Sequence, residues 1–134
     1  MPETKVVDSW AIIVWLLDQP AAAAVEAFIQ EADEGNLHLI MSWVNVGEVF
    51  YIISRRHGQE RAADFIDRLP SLPIRLVLPD EDAILGAAAI KAAHPVSYSD
   101  AFAISLAQSE KASVITGDDE IRQRGLVPVD WLGS

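Results

Sequence analysis

Short apolar, often β-branched runs alternate along the chain with longer segments whose apolar residues follow helical spacing. A short apolar run bounded by turn-forming residues predicts a buried strand. The strands predicted in this way are residues 5–7, 37–41, 74–78, 113–116 and 127–129. Because helices separate these strands, the pattern predicts an α/β fold: a three-layer sandwich with a mostly parallel central sheet of about five strands.

Seven helices are predicted between the strands, and capping residues mark several of their starts. Asp8 or Ser9 caps the first helix, Ser42 caps the third, and Ser99 caps the sixth. Asp100 then falls in the first turn of the sixth helix, where the helix dipole favours a carboxylate. The predicted helices are residues 10–17, 21–34, 43–57, 59–69, 81–93, 100–108 and 121–124.

Length and composition limit the class of protein. The 134 residues, of which 51% are hydrophobic, suit a single domain, 1–134, with a substantial core. The absence of cysteine excludes disulfides and thiolate metal sites. No apolar run reaches the roughly 18 residues that span a bilayer. The first residues, MPETKVVD, lack the features of a signal peptide, so we expect a cytoplasmic protein.

The charge balance is strongly acidic: 10 basic and 20 acidic residues give a net charge of −10. This balance disfavours a general nucleic-acid binder, which normally presents a basic face. It suits a protein that binds cations or a basic partner, and it is also common in domains that are merely well solvated.

Four acids lie where the predicted elements begin, end or are otherwise apolar. Asp8 follows the first strand, Asp118 follows the fourth strand, and Asp100 opens a buried helix. Glu48 lies inside a helix with apolar neighbours, where an unpaired carboxylate is costly. If the first and fourth strands are parallel neighbours, Asp8 and Asp118 emerge side by side at a sheet edge where α/β proteins bind ligands.

Four carboxylates in one pocket repel each other unless positive charge joins them. No lysine or arginine is adjacent in sequence to Asp8, Asp100 or Asp118. A hard divalent cation, Mg²⁺ or Mn²⁺, would therefore suit the group, as one ion or as two ions roughly 3.5–4 Å apart. Each acid taken alone also has an ordinary explanation as a helix cap, a turn residue or a solvated helix residue.

The chain resembles the PIN-domain nuclease family, and more narrowly its VapC-type toxins. The resemblance rests on VVDSWAIIVWL, VNVGEVFYIISRR, SYSDAFAISLA and VITGDDE, which occur in that order and extend over most of the chain. It implies an endoribonuclease that uses Mg²⁺ or Mn²⁺ and leaves a 5′-phosphate and a 3′-hydroxyl. It also implies a homodimer and a cognate antitoxin whose tail covers the acidic pocket, often with a basic side chain.

The resemblance also assigns roles to the four acids. Asp8, Glu48 and Asp100 would contact the metal directly, and Asp118 would complete the site or hold a second ion through water. All four would be catalytic, with a metal-bound water as the nucleophile.

Four further polar residues would lie beside these ligands. Ser9 and Thr116 correspond to hydroxyls that family members place next to the metal. Asn45 shares a helix face with Glu48 and could either touch the site or serve in packing. Asp119 could replace Asp118 as the fourth acid, although the position at the strand end favours Asp118.

Acids at the ends of a sheet also occur in two other classes of protein. A catalytically silent binding module would keep the fold and use the acids to dock a basic peptide or a structural ion. A phosphotransfer domain of the haloacid-dehalogenase kind would need Asp-x-Asp after the first strand, but the third position is Trp10. A receiver domain would need an acidic pair and a late strand-end lysine, and neither is present.

Overall fold

Five parallel strands form one sheet at the centre of the computed structural model, which describes residues 2–133. The strand order is β3-β2-β1-β4-β5, and every neighbouring pair is parallel. The strands are β1 (Glu3–Val7), β2 (Leu37–Ser42), β3 (Ile74–Val77), β4 (Ser113–Thr116) and β5 (Val129–Trp131).

Seven α-helices and one 3₁₀ turn connect the strands and cover both faces of the sheet. The segments are α1 (Ser9–Leu16), α2 (Ala22–Asp33), α3 (Trp43–His57), α4 (Gln59–Arg68), the 3₁₀ turn Leu69–Ser71, α5 (Glu81–Ala93), α6 (Tyr98–Glu110) and α7 (Asp119–Arg124). Within residues 2–133, none of these helices has the length and apolar character needed to cross a membrane.

Two hydrophobic cores lie on opposite faces of the sheet. Successive strand residues point to opposite faces, so Val6 packs in one core and Val7 in the other. Val114 and Ile115 of β4 divide between the two cores in the same way. Helices α1 to α4 pack chiefly on the Val7 side, and α5 to α7 pack on the Val6 side. The predicted three-layer α/β sandwich is therefore confirmed.

Several predicted boundaries differ from the structure by one or two residues: β1 begins at Glu3, α6 runs from Tyr98 to Glu110, and α7 begins at Asp119. Two differences at the ends of elements have a clear physical cause. The last strand is Val129–Trp131 rather than residues 127–129, because Pro128 has no N–H for the sheet ladder and contributes only its carbonyl, to the Val114 amide. The cap of α6 is Ser97 rather than Ser99: Ser97 has an extended backbone, and its Oγ accepts a hydrogen bond of 3.1 Å from the Asp100 amide. Asp100 nevertheless lies in the first turn, as predicted.

The neighbouring strands β1 and β4 mark the topological switch point of the sheet, where the order in which strands are added reverses. Strands β2 and β3 extend the sheet on one side of β1, and β4 and β5 extend it on the other. The loops that leave the carboxyl ends of β1 and β4 therefore diverge to opposite faces and leave a crevice between them. Asp8 follows β1 and Asp118 follows β4, so both acids lie at this crevice.

Candidate metal centre

Asp8 is the most deeply buried of the four predicted acids, with 1% of its surface exposed. It occupies the N-cap position of α1, yet its carboxylate makes no capping hydrogen bond. One oxygen, Oδ2, accepts a hydrogen bond of 2.7 Å from Thr116 Oγ1. The other, Oδ1, is buried and has no partner among the described residues. The capping explanation for Asp8 therefore fails, and one buried oxygen is left free to bind a ligand.

Thr116 links the two strand-end acids. Its hydroxyl donates to Asp8 and accepts a hydrogen bond of 3.0 Å from the Asp118 amide. Asp118 in turn caps α7, because its Oδ1 accepts a hydrogen bond of 2.9 Å from the Glu120 amide. The turn after β4 is thus held against the end of β1 by one buried hydroxyl.

The structure brings Asp8, Asp100 and Asp118 together. One carboxylate oxygen from each residue lies within 4.8 Å of the others. Burial is the main cause that raises the pKa of Asp8 from 3.8 to about 7; the Asp118 and Glu48 charges add to the rise, and the Thr116 hydrogen bond opposes it. Burial, followed by the Asp8 and Asp118 charges, raises the pKa of Asp100 to about 9. The three carboxylates therefore resist sharing the site as anions unless a cation joins them.

Glu48 lies on the wall of the same cleft but outside this group of three. It is half-buried, and its Oε2 accepts a hydrogen bond of 2.5 Å from Ser99 Oγ. Ser99, which does not cap α6, therefore orients Glu48 instead. The family resemblance implies that Glu48 is a direct ligand; in the structure Glu48 lines the cleft, while the three carboxylates within 4.8 Å of one another are those of Asp8, Asp100 and Asp118.

Asn45 and Ser9 hold the surrounding helices in place. Asn45 is fully buried, and its Nδ2 donates to Ser9 Oγ at 3.2 Å and to the Ser99 carbonyl at 3.0 Å. Ser9 Oγ donates to the Asn45 carbonyl at 3.2 Å. These bonds join α1, α3 and the start of α6, the elements that carry Asp8, Glu48 and Asp100. Both residues therefore act on the acids through helix positions.

Asp119 does not join the acids. It is exposed, forms an ion pair with Arg122 on the same helix, and does not line the cleft. Between the two neighbouring aspartates, the structure places Asp118 in the cluster.

The acids line an open cleft of about 440 Å³ that contains residues the sequence reasoning missed. Glu120 adds a further carboxylate, which accepts a hydrogen bond of 3.2 Å from the Ser97 amide. Trp10 and Gln19 form one side of the cleft, and Arg56 is the one basic residue among those that line it within residues 2–133. The run GDDE signals several acids at this turn, but it does not say which of them face the cleft.

The donor set fits a hard divalent cation. One oxygen from each of three carboxylates lies within 4.8 Å of the others, and Asp8 Oδ1 is buried without a partner among the described residues. Burial also makes the charge of Asp8 unfavourable without a counter-ion. Mg²⁺ and Mn²⁺ prefer oxygen ligands and bind through a few carboxylates while keeping several waters. Asp8, Asp100 and Asp118 are the residues that would hold such an ion.

Several families of α/β proteins bind ligands through acids at the switch point of a parallel sheet, so the site alone does not identify the family. The sequence does: the PIN domain family model matches residues 5–126. The chain belongs to the PIN domain family, and the predicted resemblance to that family is confirmed. Among curated protein sequences, none matches this chain significantly.

Solved structures of VapC-type proteins share the fold. VapBC2 from Rickettsia felis, bound to a DNA fragment from its promoter, aligns with a TM-score of 0.75 at 12% identity, covering 95% of this chain and 97% of that one. The Mycobacterium tuberculosis toxin VapC20, described as cleaving the sarcin–ricin loop, gives 0.73 at 15%, covering 92% and 95%. DNA-bound VapBC from Salmonella typhimurium gives 0.73 at 16%, covering 98% and 99%. At these identities the likeness establishes the fold.

Proposed function

We propose that this chain is a metal-dependent endoribonuclease, the toxin of a type II toxin–antitoxin pair. The observation that carries the proposal is the convergence of Asp8, Asp100 and Asp118 at the switch point of the sheet, with a buried carboxylate oxygen left unpartnered. Membership of the PIN family and the shared fold with a cleaving toxin and with VapBC complexes support it. RNA is the substrate that the sequence resemblance implies.

In this proposal the three aspartates would hold one or two Mg²⁺ or Mn²⁺ ions. Such an ion would supply a bound water of lowered pKa and would neutralise charge on the phosphate. Thr116 fixes one oxygen of Asp8, and the Glu120 amide fixes one oxygen of Asp118, so each carboxylate keeps its other oxygen available. Two of the three ligands are thus held in position by hydrogen bonds that do not compete with the ion.

Glu48 has a different role, because it lies on the cleft wall outside the group of three. Its carboxylate is oriented by Ser99 Oγ and is partly accessible to water. It would accept a hydrogen bond from the attacking water and direct that water at phosphorus. A carboxylate in this position provides orientation and a proton acceptor without occupying the place of a metal ligand.

The same acids would attract an inhibitor with a basic side chain. A guanidinium or ammonium group in the cleft would relieve the repulsion that raises the pKa values of Asp8 and Asp100. We therefore propose a cognate antitoxin that places such a group there.

We also propose a homodimer that covers the exposed apolar side chains of Leu78, Ile84 and Leu85, of which Leu78 is 78% exposed. Light scattering of the isolated chain tests the dimer.

The test combines metal binding with RNA cleavage. Mn²⁺ is titrated calorimetrically into the wild type, Asp100→Asn and the control Asp119→Asn, and each protein is incubated with a mixed RNA pool with Mn²⁺ or EDTA. We expect saturable binding and cleavage in the wild type and in Asp119→Asn, and neither in Asp100→Asn. Metal binding without cleavage, in protein refolded free of any co-purified partner, would overturn the nuclease function in favour of a binding module.

A further inference from the structure

A second cavity adjoins the acidic cleft. It has a volume of about 390 Å³ and shares Trp10, Val14 and Gln19 with the cleft, so these residues form a common wall. Pro20 and Ala21 line it on the side where α2 begins. Leu132 and Gly133 also line this open cavity, and the Leu132 amide donates a hydrogen bond of 2.9 Å to the Thr116 carbonyl. The cavity is thus mainly apolar, and it lies directly beside the proposed metal centre.

Trp10 is held at this boundary by the turn that carries Asp118. The indole ring lies so close to Gly117 that a Cβ at that position would overlap the ring. The ring therefore packs on the backbone of the turn after β4 at Gly117, one residue from Asp118 of the metal centre. Trp10 remains only partly buried, because two cavities meet at its side chain.

Gln19 gives the cavity its side-chain amide. A tight turn ends α1: Asp18 takes a left-handed backbone conformation, with φ of 51°, and the Gln19 amide donates a hydrogen bond of 3.0 Å to the Val14 carbonyl. The Gln19 side chain is exposed and forms no hydrogen bond within residues 2–133. A primary amide can donate and accept at once, so it suits a ligand whose edge carries both kinds of group.

We propose that this cavity binds a nucleobase next to the scissile phosphate, with Trp10 stacking on the base and Gln19 hydrogen-bonding its edge. A base is flat, apolar on its faces and polar at its edge, which matches an indole wall and one amide. When a phosphate lies at the carboxylates, a base on the adjoining nucleotide reaches the cavity across the shared wall. This inference rests on the proposed nuclease function and extends it to the recognition of substrate.

The charge of the protein favours the same assignment. Phosphate contacts normally supply much of the affinity for nucleic acid, but the net charge here is −10 and Arg56 is the one basic residue among those described as lining the cleft. Base stacking does not depend on positive charge. An acidic protein that binds single-stranded RNA therefore needs a stacking platform, and Trp10 is the aromatic residue placed to provide one.

The experiment compares a short RNA oligonucleotide with an abasic oligonucleotide of the same length and backbone. Binding is measured by fluorescence anisotropy in Ca²⁺, with RNA integrity checked on a gel. We expect the wild type to bind the RNA about 5- to 150-fold more tightly than the abasic chain, the range that stacking of one base provides. In Trp10→Leu this ratio should fall towards one while affinity for the abasic chain is retained; Trp10→Phe should keep most of the ratio.

Two further variants control for structural effects. Trp43→Leu makes the same change at an exposed tryptophan outside both cavities, and it should keep the wild-type ratio. Gln19→Leu changes an exposed side chain, so it should fold normally, lower RNA affinity by a few-fold and alter the preference among bases. Calorimetry with Mn²⁺ should give wild-type affinity in Trp10→Leu, which separates loss of stacking from damage to the metal centre.

The outcomes separate this inference from the proposed function. A wild-type ratio in Trp10→Leu would overturn the base-binding assignment, as would equal affinity of the wild-type protein for RNA and abasic chain; the cavity would then suit an apolar side chain of a protein partner. If the pool of RNA is cut but the ratio is absent, the nuclease function stands without this subsite. If the ratio behaves as expected but no RNA is ever cut, base binding stands and the nuclease function fails.

Discussion

Replacing Asp8 by asparagine should stabilise the metal-free protein while abolishing metal binding. The Asp8 carboxyl is buried, and its pKa rises from 3.8 to about 7. Because each pKa unit corresponds to about 1.36 kcal/mol, holding this group ionised in the folded protein costs about 4 kcal/mol above pH 7. Asparagine has nearly the same shape, carries no charge, and can still accept the hydrogen bond from Thr116.

The net gain is smaller than the full electrostatic cost. A hydrogen bond from Thr116 to a neutral amide is weaker than one to a carboxylate, by about 1 kcal/mol. The new amide nitrogen, at the position of the unpartnered Oδ1, can donate to the neighbouring carboxylates of Asp100 or Asp118. We therefore expect Asp8→Asn to raise the free energy of unfolding by about 3 kcal/mol at pH 8.

The pH dependence of unfolding provides a second test of the sign of the Asp8→Asn effect. The folded-state pKa is raised, so the folded protein binds a proton more tightly than the unfolded chain does, and stability is lost as pH rises from about 4 to 7. At pH 5.5 the folded carboxyl is mostly protonated, and the electrostatic cost is about half its value at pH 8. The advantage of Asp8→Asn should shrink accordingly.

Urea unfolding in EDTA, followed by circular dichroism at pH 5.5 and pH 8, measures these free energies. The control is Asp119→Asn, which removes an exposed acid directly after Asp118 that does not line the cleft; its effect should stay within about 0.5 kcal/mol at both pH values. Adding Mn²⁺ should stabilise the wild type and Asp119→Asn but not Asp8→Asn. If Asp8→Asn proves less stable than the wild type at pH 8, or if its effect is the same at both pH values, the electrostatic reasoning is refuted.

Three further predictions concern the ion, the turn and the helix start. Mn²⁺ binding at pH 6 should release protons, since the raised pKa values of Asp8 and Asp100 leave them largely protonated; calorimetry in buffers of different ionisation enthalpy measures the number, and no release would contradict the shifts. Gly117→Ala should lower the free energy of unfolding by about 1–3 kcal/mol, because its Cβ would overlap the Trp10 ring; an unchanged urea midpoint would show that the ring moves freely. Ser97→Ala should lower stability by about 1 kcal/mol through loss of the α6 cap, again by urea unfolding, and no loss would mean that water replaces the cap.

The sheet could be predicted from the sequence, and the convergence of two acids could be predicted on one condition. Short apolar runs identify the strands, and Asp8 and Asp118 meet at one edge if β1 and β4 are parallel neighbours, which the structure shows them to be. Both facts depend on local patterns and on a general property of parallel sheets. The place of Asp100 in the first turn of a buried helix is also predictable, but its position beside the other two acids is implied only by the family resemblance, and it is the structure that brings the three together.

The remaining features depend on packing that periodicity does not encode. Whether Glu48 or Asp118 completes the group of three depends on the angle between α3 and the sheet, which a helical spacing of acids leaves open. The wall formed by Trp10 and Gln19 depends on the left-handed turn at Asp18, and the sequence signals this turn only as a helix break. Side chains at a cleft mouth are thus harder to predict than those at strand ends.

The metal-free cluster is electrostatically unfavourable, and this fact connects catalysis with inhibition in the proposed function. Burial and mutual repulsion raise the pKa values of Asp8 and Asp100. A cation that binds there relieves this repulsion, and the relief contributes to its binding free energy. A divalent ion and a basic side chain of an antitoxin would therefore compete for the same carboxylates. It follows that Mn²⁺ should weaken binding of an arginine-containing inhibitory peptide, and that Asp8→Asn should reduce the affinity for both. A peptide that binds equally well with and without Mn²⁺ must lie elsewhere on the protein.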